Sequence, residues 1–345
     1  MAGAAPTRAA AGEFPLCMYG ITGPQDLEPV KKAGFNCFQT YAQEPEQLAE
    51  LAREAGERGL KMLAAPDKVI GSAYGEAAKS WPMLAWYLYD EPEVRRLPPA
   101  ELEKLDLRVK RWDAAQRTAF VMGNGMAAFT YGASADALMV DWYPVAHLKP
   151  ESVGYQVTLV KEAAKNTDQL RPFKPVWAVL QAFNWLEFPQ LAKPPVGRFP
   201  TFKEIRFMTY LAIARGAGGI FYFQFHQKDG RPLTDKKSRW AMFERLAGEL
   251  NTLRPALEAG AQLPPPPGIG EELSATVFTG GGRTFMLLLN ASEKPAQLDT
   301  AALKGWRPLF EEKKDLGELL PGRTRQYMEP YRALVLEKHG GFLFF

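Results

Sequence analysis

The stretch AWYLYDEPE, residues 85–93, decides how this chain is read. Five apolar or aromatic residues, Ala85 to Tyr89, run into Asp90 and Glu91, and Pro92 ends the run. It reads as a strand that delivers two adjacent carboxylates to a proline-terminated corner. Seven further runs look like strands: Leu16 to Ile21, Phe35 to Tyr41, Leu60 to Ala65, Thr118 to Gly123, Ala137 to Trp142, Val176 to Gln181 and Gly219 to Phe223. Amphipathic segments alternate with them, among them Pro45 to Arg58, Glu101 to Trp112, Glu151 to Lys165, Thr201 to Arg215 and Asp235 to Leu257. Their Leu and Ala residues recur at helical spacing with charges opposite. Strand then helix, eight times within about 250 residues, predicts a (β/α)8 TIM barrel. A doubly wound open sheet competes less well. Its Gly-rich turn between an early strand and a helix is missing, since Gly280 to Gly282 fall in a late β-like region.

The pattern changes after AQLPPPPGIG, residues 261–270, where Pro264 to Pro267 cannot continue a helix and favour an extended connector. Beyond it come short β-rich runs, including Ala275 to Thr279, Thr284 to Asn290 and Arg332 to Leu336, the pattern of a small all-β sandwich domain. The expected organisation is therefore a tail over 1–13, a barrel over 14–260, a Pro-rich linker over 261–270 and a β-sandwich over 271–345. The tail, MAGAAPTRAAAGE, lacks a basic start followed by an apolar stretch. It is not a complete secretory signal and reads as a processed tail or a cloning remnant, which leaves a secreted or periplasmic location open.

Composition narrows the function classes. Forty-two Lys and Arg against 39 Asp and Glu give a net charge of +3, with the signs mixed along the chain. That argues against a nucleic-acid surface. No apolar run approaches the ~20 residues of a membrane span. Cys17 and Cys37 are too few for a disulfide framework or a cysteine zinc cluster. They read as buried thiols, with one bridge between neighbouring strands as the alternative. His147, His226 and His339 are far apart, with no close ligand pair. No metal and no cofactor is expected, and oligomeric state is not legible.

In a TIM barrel the chemistry sits at the C-terminal ends of the strands. The second strand ends in Gln39-Thr40-Tyr41, the fourth in Asp90-Glu91, and the sixth in Asp141-Trp142-Tyr143-Pro144. The seventh ends in Gln181-Ala182-Phe183-Asn184-Trp185, and the eighth leads through Tyr222 and Gln224 to His226. Asp90-Glu91-Pro92 after the fourth strand resembles the Asn-Glu-Pro corner of clan A glycoside hydrolases. The segments DWYPV, PVWAVLQAFNW and RFPTFKEIRFMTYLAIARGAGGIFYFQF resemble glycoside-hydrolase-like barrels that carry a C-terminal β-domain. The resemblance implies a glycosidase with Glu91 as general acid/base and Asp90 as its neighbour on the sugar. Burial against Trp86, Tyr87 and Tyr89 is the expected means of keeping Glu91 protonated.

The sequence departs from that family where the nucleophile belongs. Clan A enzymes end the seventh strand in Glu, and here Gln181 stands in that neighbourhood; an amide cannot serve as the carboxylate. Asp141 and Glu187 are the candidates for the second carboxylate, with Gln181 kept as a hydrogen-bonding residue. Two alternatives follow: a carbohydrate-binding pseudoenzyme, or a substrate-assisted N-acetylhexosaminidase in which Asp90 orients an acetamido group. Glu204 is set aside, because Thr201-Phe202-Lys203-Glu204 fits a capping box at a helix start. Trp142, Tyr143, Phe183, Trp185, Tyr222 and Phe225 are expected to stack on pyranose faces, while Gln39, Asn184 and Gln224 read hydroxyls. The expected partner is a carbohydrate.

Overall fold

The structure is a computed structural model, described over residues 12–166, 174–190, 196–310 and 325–338. Most of the expected N-terminal tail, and His339, lie outside these residues. Eight parallel strands close into a barrel in chain order. They are β1 (Leu16–Met18), β2 (Cys37–Gln39), β3 (Lys61–Ala64), β4 (Met83–Asp90), β5 (Thr118–Met122), β6 (Ala137–Trp142), β7 (Val176–Gln181) and β8 (Ile220–Phe223). A helix follows each in turn: α1 (Leu27–Lys32), α2 (Pro45–Glu57), α3 (Gly75–Ala78), α4 (Pro99–Trp112), α5 (Ala128–Tyr131), α6 (Ser152–Asn166), α7 (Phe202–Ala214) and α8 (Lys237–Ala259).

The helices form where the sequence pattern puts them. Pro45 and Pro99 open α2 and α4, at the position where the missing N–H of proline costs nothing. Leu48, Leu51, Ala52 and Ala55 make the buried stripe of α2. At α7 the expected box is present: Thr201 Oγ1 accepts from the Glu204 amide at 3.3 Å while the Glu204 carboxylate takes the Thr201 amide at 2.9 Å.

Side chains two apart on each strand fill the barrel. Cys17 and Tyr19, Ala85 and Tyr87, Trp177 and Val179 and the single Phe221 belong to one fully packed interior. Within it the thiol expectation is corrected. Cys17 and Cys37 face each other in register on β1 and β2, with Cα atoms 4.5 Å apart, and are joined as a disulfide. Direct opposition on adjacent strands is what brings the two sulfurs within bonding reach.

The chain divides into two compact units. One holds Pro15–Pro200 and Arg215–Gly248, and with them the eight barrel strands; the other takes in α7, the end of α8 from Glu249, and the C-terminal strands. Those strands are β9 (Ala261–Leu263), β10 (Ser274–Gly280), β11 (Arg283–Asn290), β12 (Ala296–Asp299), β13 (Trp306–Pro308), β14 (Arg325–Met328) and β15 (Arg332–Lys338). They form an antiparallel sheet in the order β13-β15-β11-β10-β9 and a second, two-stranded sheet, β12-β14. Met286, Leu288, Leu334 and Leu336 of the first sheet pack on Ala296, Leu298 and Met328 of the second, so the two inner faces share one core, as in a sandwich. Pro264 to Pro267 follow β9 without regular structure. In the same unit Arg206 of α7 is buried, with Nε on Glu249 Oε2 at 2.7 Å and a terminal nitrogen on the Ala333 carbonyl at 2.6 Å.

Candidate functional site

A cavity of about 360 Å³ opens at the C-terminal ends of the barrel strands. Its polar side is built by β4 and β6. Asp90, Glu91 and Asp141 supply three carboxyls, with Tyr41, Arg95 and Tyr143 beside them. Its other side is apolar, formed by Val179, Phe183, Trp185, Phe188 and Phe223, with Tyr19 from β1.

Adjacent residues on a strand point to opposite faces, so two neighbouring carboxyls in one cavity need a local break in the strand. Two features supply it. Between Tyr87 and Asp90 the register of β4 slips against β5: Tyr87 pairs with Ala119 and Asp90 with Val121, so β4 carries one extra residue. This bulge reverses the parity and turns Asp90 inward where Tyr89 would have pointed. Glu91 then sits at φ +50°, in the left-handed region that a residue with a side chain seldom occupies. Its N–H stays tied to the Val121 carbonyl at 3.0 Å while its side chain enters the cavity.

The carboxyls are anchored unequally. Asp90 Oδ2 accepts from the Tyr41 hydroxyl at 3.1 Å, and its backbone carbonyl accepts from Arg95 Nε at 2.8 Å. Burial raises its pKa, against the pull of the Tyr41 hydrogen bond and the Arg95 charge. Glu91 is also raised, first by burial and then by the charges of Asp90 and Glu93; Arg95 and a hydrogen bond with Asp141 oppose this. Asp141 is pushed well above the usual carboxylate range by burial, with Glu91 and Asp90 adding to it. Asp141 is 8% exposed, and its Oδ1 is buried without a partner. Glu91 and Asp141 are thus both shifted toward their protonated forms, by burial first and by neighbouring carboxyl charges second.

The sequence-derived candidates separate into two sets. Tyr41, Asp90, Glu91, Asp141, Tyr143, Phe183 and Trp185 line the cavity. The others do not. Gln181 is fully buried: its Oε1 accepts from the Val145 amide at 2.9 Å and its Nε2 donates to the carbonyls of Val145 and Phe183, at 2.5 and 3.2 Å. Gln39 is equally buried, between the Gly20 amide and the Thr40 carbonyl. Glu187 closes a capping box with Asn184 and accepts from the Lys228 amide at 3.0 Å. Trp142 donates Nε1 to Ser152 Oγ at 2.8 Å, and Tyr222 is packed between Phe35 and Phe243. Phe225 packs on Trp240, and Gln224 takes Gln227 Nε2 on its carbonyl. His226 holds Asp26 Oδ2 at 2.8 Å and the Gly230 carbonyl at 3.1 Å. Trp86, expected against Glu91, instead lies between Trp81 and Trp112.

Sequence reading missed Tyr19, Arg95, Val121, Val179, Phe188 and Phe223. Four of them carried a signal: Tyr19, Val121, Val179 and Phe223 each lie two residues beyond an inward core residue, Cys17, Ala119, Trp177 and Phe221, on the same face of the strand. Arg95 and Phe188 sit in loops and carried none. Among the described residues no group of three or more His, Cys, Asp or Glu could hold a metal ion, and no helix is long and apolar enough to cross a membrane.

No protein-family model and no curated protein sequence matches the chain. Solved structures do. A glycoside hydrolase family 5 protein from Bacteroides vulgatus superposes with a TM-score of 0.59 at 16% identity, over 94% of this chain and 88% of its own. A GH30 endoxylanase from Clostridium papyrosolvens gives 0.54 at 9% identity, over 97% and 98%. An alpha-amylase from Geobacillus thermoleovorans, complexed with acarbose, gives 0.56 at 11%, over 97% and 100%. At these identities the likeness is one of fold, a closed (β/α)8 barrel.

Proposed function

We propose that the chain is a glycoside hydrolase that cleaves glycosidic bonds in an oligo- or polysaccharide, with Glu91 as the general acid. The observation that carries this reading is the placement of Glu91 at the end of β4, in a cavity faced with aromatic rings, with its pKa raised by burial and by neighbouring carboxyls. A carboxyl so placed keeps its proton toward neutral pH and can give it to a leaving glycosidic oxygen. Rings such as Trp185 and Phe223 offer flat apolar faces for the C–H side of a sugar. Tyr41 and Asp90 stand ready to bind hydroxyls at the opposite edge.

Asp141 lines the same cavity from β6, where the Glu91 charge adds to its raised pKa, and is the candidate second carboxylate.

A second reading has its own observation. Among the described residues, the cavity lining from β7, β8 and their loops includes no carboxylate to stand in for the missing nucleophile. This favours either a substrate that supplies its own nucleophile, such as a 2-acetamido sugar beside Asp90, or a protein that binds carbohydrate without cleaving it. Product release from aryl glycosides and polysaccharides, including N-acetylhexosaminides, compared between the chain and Glu91→Gln, tests all three. Cleavage that Glu91→Gln abolishes supports the acid assignment. Cleavage confined to acetamido sugars selects the assisted route, and binding with no cleavage of any substrate overturns the hydrolase.

A further inference from the structure

The structure around Glu91 contains a second layer that the reaction scheme does not use. Glu93, two residues on, sends Oε1 to the amide of Gly123 at 2.6 Å, to the amide of Asn124 at 3.2 Å and to Asn124 Nδ2 at 3.3 Å. One carboxylate oxygen thereby fixes the turn that leaves β5. Asn124 is held from its other end as well, because its Oδ1 accepts from the Ala127 amide at 3.1 Å. The second oxygen of Glu93 is buried without a partner. Burial raises the pKa of Glu93 itself, against the pull of the backbone N–H groups it accepts from.

The turn ends against Glu91. A Cβ added to Gly123 would lie 2.8 Å from Glu91 Oε1 and 3.3 Å from Val94 Cγ2. Position 123 is not at positive φ, so its backbone suits any residue. What it lacks is room, and the space left by the missing methyl is filled by the acid's own oxygen. The charged groups facing Glu91 are Asp90, Glu93 and Arg95 from its own corner and Asp141 from β6. The β5 side contributes only Val121 and Gly123.

The geometry points to Glu93 and Gly123 as positioning residues for the catalytic acid: Gly123 is the seat of the Glu91 carboxyl, and Glu93 both clamps that seat and places a negative charge beside it. This rests on Glu91 being the acid. The charge raises the affinity of Glu91 for its proton, in the direction found for Glu91. The missing methyl lets the carboxyl occupy one position instead of several.

Two variants separate this role from a structural one. Glu93→Gln keeps an acceptor for the three N–H groups and removes the charge. Gly123→Ala fills the seat, and the displaced atom is the end of a flexible side chain, so the fold tolerates it. The first readout is substrate-free: carboxyl carbon-13 NMR of glutamate-labelled protein, with the Glu91 signal assigned by its absence in Glu91→Gln. Glu93→Gln is expected to lower the Glu91 titration midpoint with the turn intact. The second readout is kinetic, on the best substrate of the panel. The basic limb of the kcat/KM profile of Glu93→Gln moves down with the midpoint, and Gly123→Ala loses about 10- to 100-fold in kcat at unchanged KM and Tm. An unmoved midpoint in Glu93→Gln overturns the charge role. Wild-type kcat in Gly123→Ala, where Glu91→Gln is inactive, overturns the seat. Full activity in Glu91→Gln instead removes the acid assignment, and the NMR midpoint still decides whether Glu93 tunes Glu91.

Discussion

The two sides of the cavity are made by the same kind of element and carry opposite chemistry. β4 and β6 end in Asp90, Glu91 and Asp141, whereas β7 and β8 and their loops bring Val179, Phe183, Trp185, Phe188 and Phe223. On the polar side β4 slips register before Asp90 and Glu91 is left-handed, whereas on the apolar side β7 and β8 pair without a register shift. Phe223 reaches the cavity by ordinary strand alternation, and Phe183, Trp185 and Phe188 come from the segment after β7. Delivering two adjacent carboxyls takes irregular backbone, which ordinary strand propensity does not supply.

The comparison can be broken most sharply at Glu91. Glu91→Gln is expected to lower the rate of glycoside cleavage by about 10²- to 10⁴-fold while leaving sugar affinity nearly intact, as steady-state kinetics and calorimetric titration would show. Equal loss of both would move Glu91 from the chemical side to the binding side. Next in size is Gln181→Glu, which tests whether the apolar side is a disabled catalytic wall. Gln181 Nε2 donates to the Val145 and Phe183 carbonyls, and a carboxylate there would face them with no proton to give. The expected outcome is a loss of about 3 kcal/mol in stability by denaturant unfolding, with no activity gained. Restored cleavage would show that the side chain can swing into the cavity after all.

Trp185 probes the apolar side directly. Its ring lines the cavity and its Nε1 donates to the Tyr143 carbonyl at 3.0 Å. Trp185→Phe keeps a ring but loses that hydrogen bond, and Trp185→Ala loses both. Sugar affinity is expected to fall about tenfold in the alanine variant and less in the phenylalanine one, with kcat affected less than KM.

The last prediction concerns a sign. Burial raises the pKa of Asp141 in the folded protein, so between the unfolded value of about 3.9 and the raised one the native state holds a proton that the unfolded chain releases. Its contribution to stability is complete below the unfolded value and is lost as pH rises through the folded one. Asp141→Asn removes that dependence. Its Tm should approach the parent's near pH 4 and exceed it increasingly toward neutrality, while activity falls. A Tm difference independent of pH would place the Asp141 carboxyl in water.

How far the sequence could be read follows from the same contrast. All eight barrel strands were legible, because each is an apolar run between amphipathic segments. The Thr201 to Glu204 cap was legible because it is local. The corner at Asp90 and Glu91 was recognisable by type and place, but the reason both side chains share one cavity was not, since a bulge depends on pairing with β5. Trp142 and Tyr222 were misplaced for a simpler cause: they lie at or next to a strand end but one step out of phase with the inward residues Asp141 and Phe221. Gln181 and Gln39 were read as sugar ligands because amides are polar; in the fold each is consumed by neighbouring backbone, which no single-residue property reveals. The disulfide required knowing that residues 17 and 37 stand in register.

The left-handed backbone at Glu91 has a consequence for the history open to this chain. Glycine occupies that conformation freely and glutamate does not, a difference of about 1 kcal/mol in favour of glycine. Drift under selection for folding alone would therefore tend to replace the very residue on which the proposed chemistry depends. A library of variants sorted for thermal resistance, without an activity screen, should enrich glycine at position 91. The corner would become more comfortable as it fell silent.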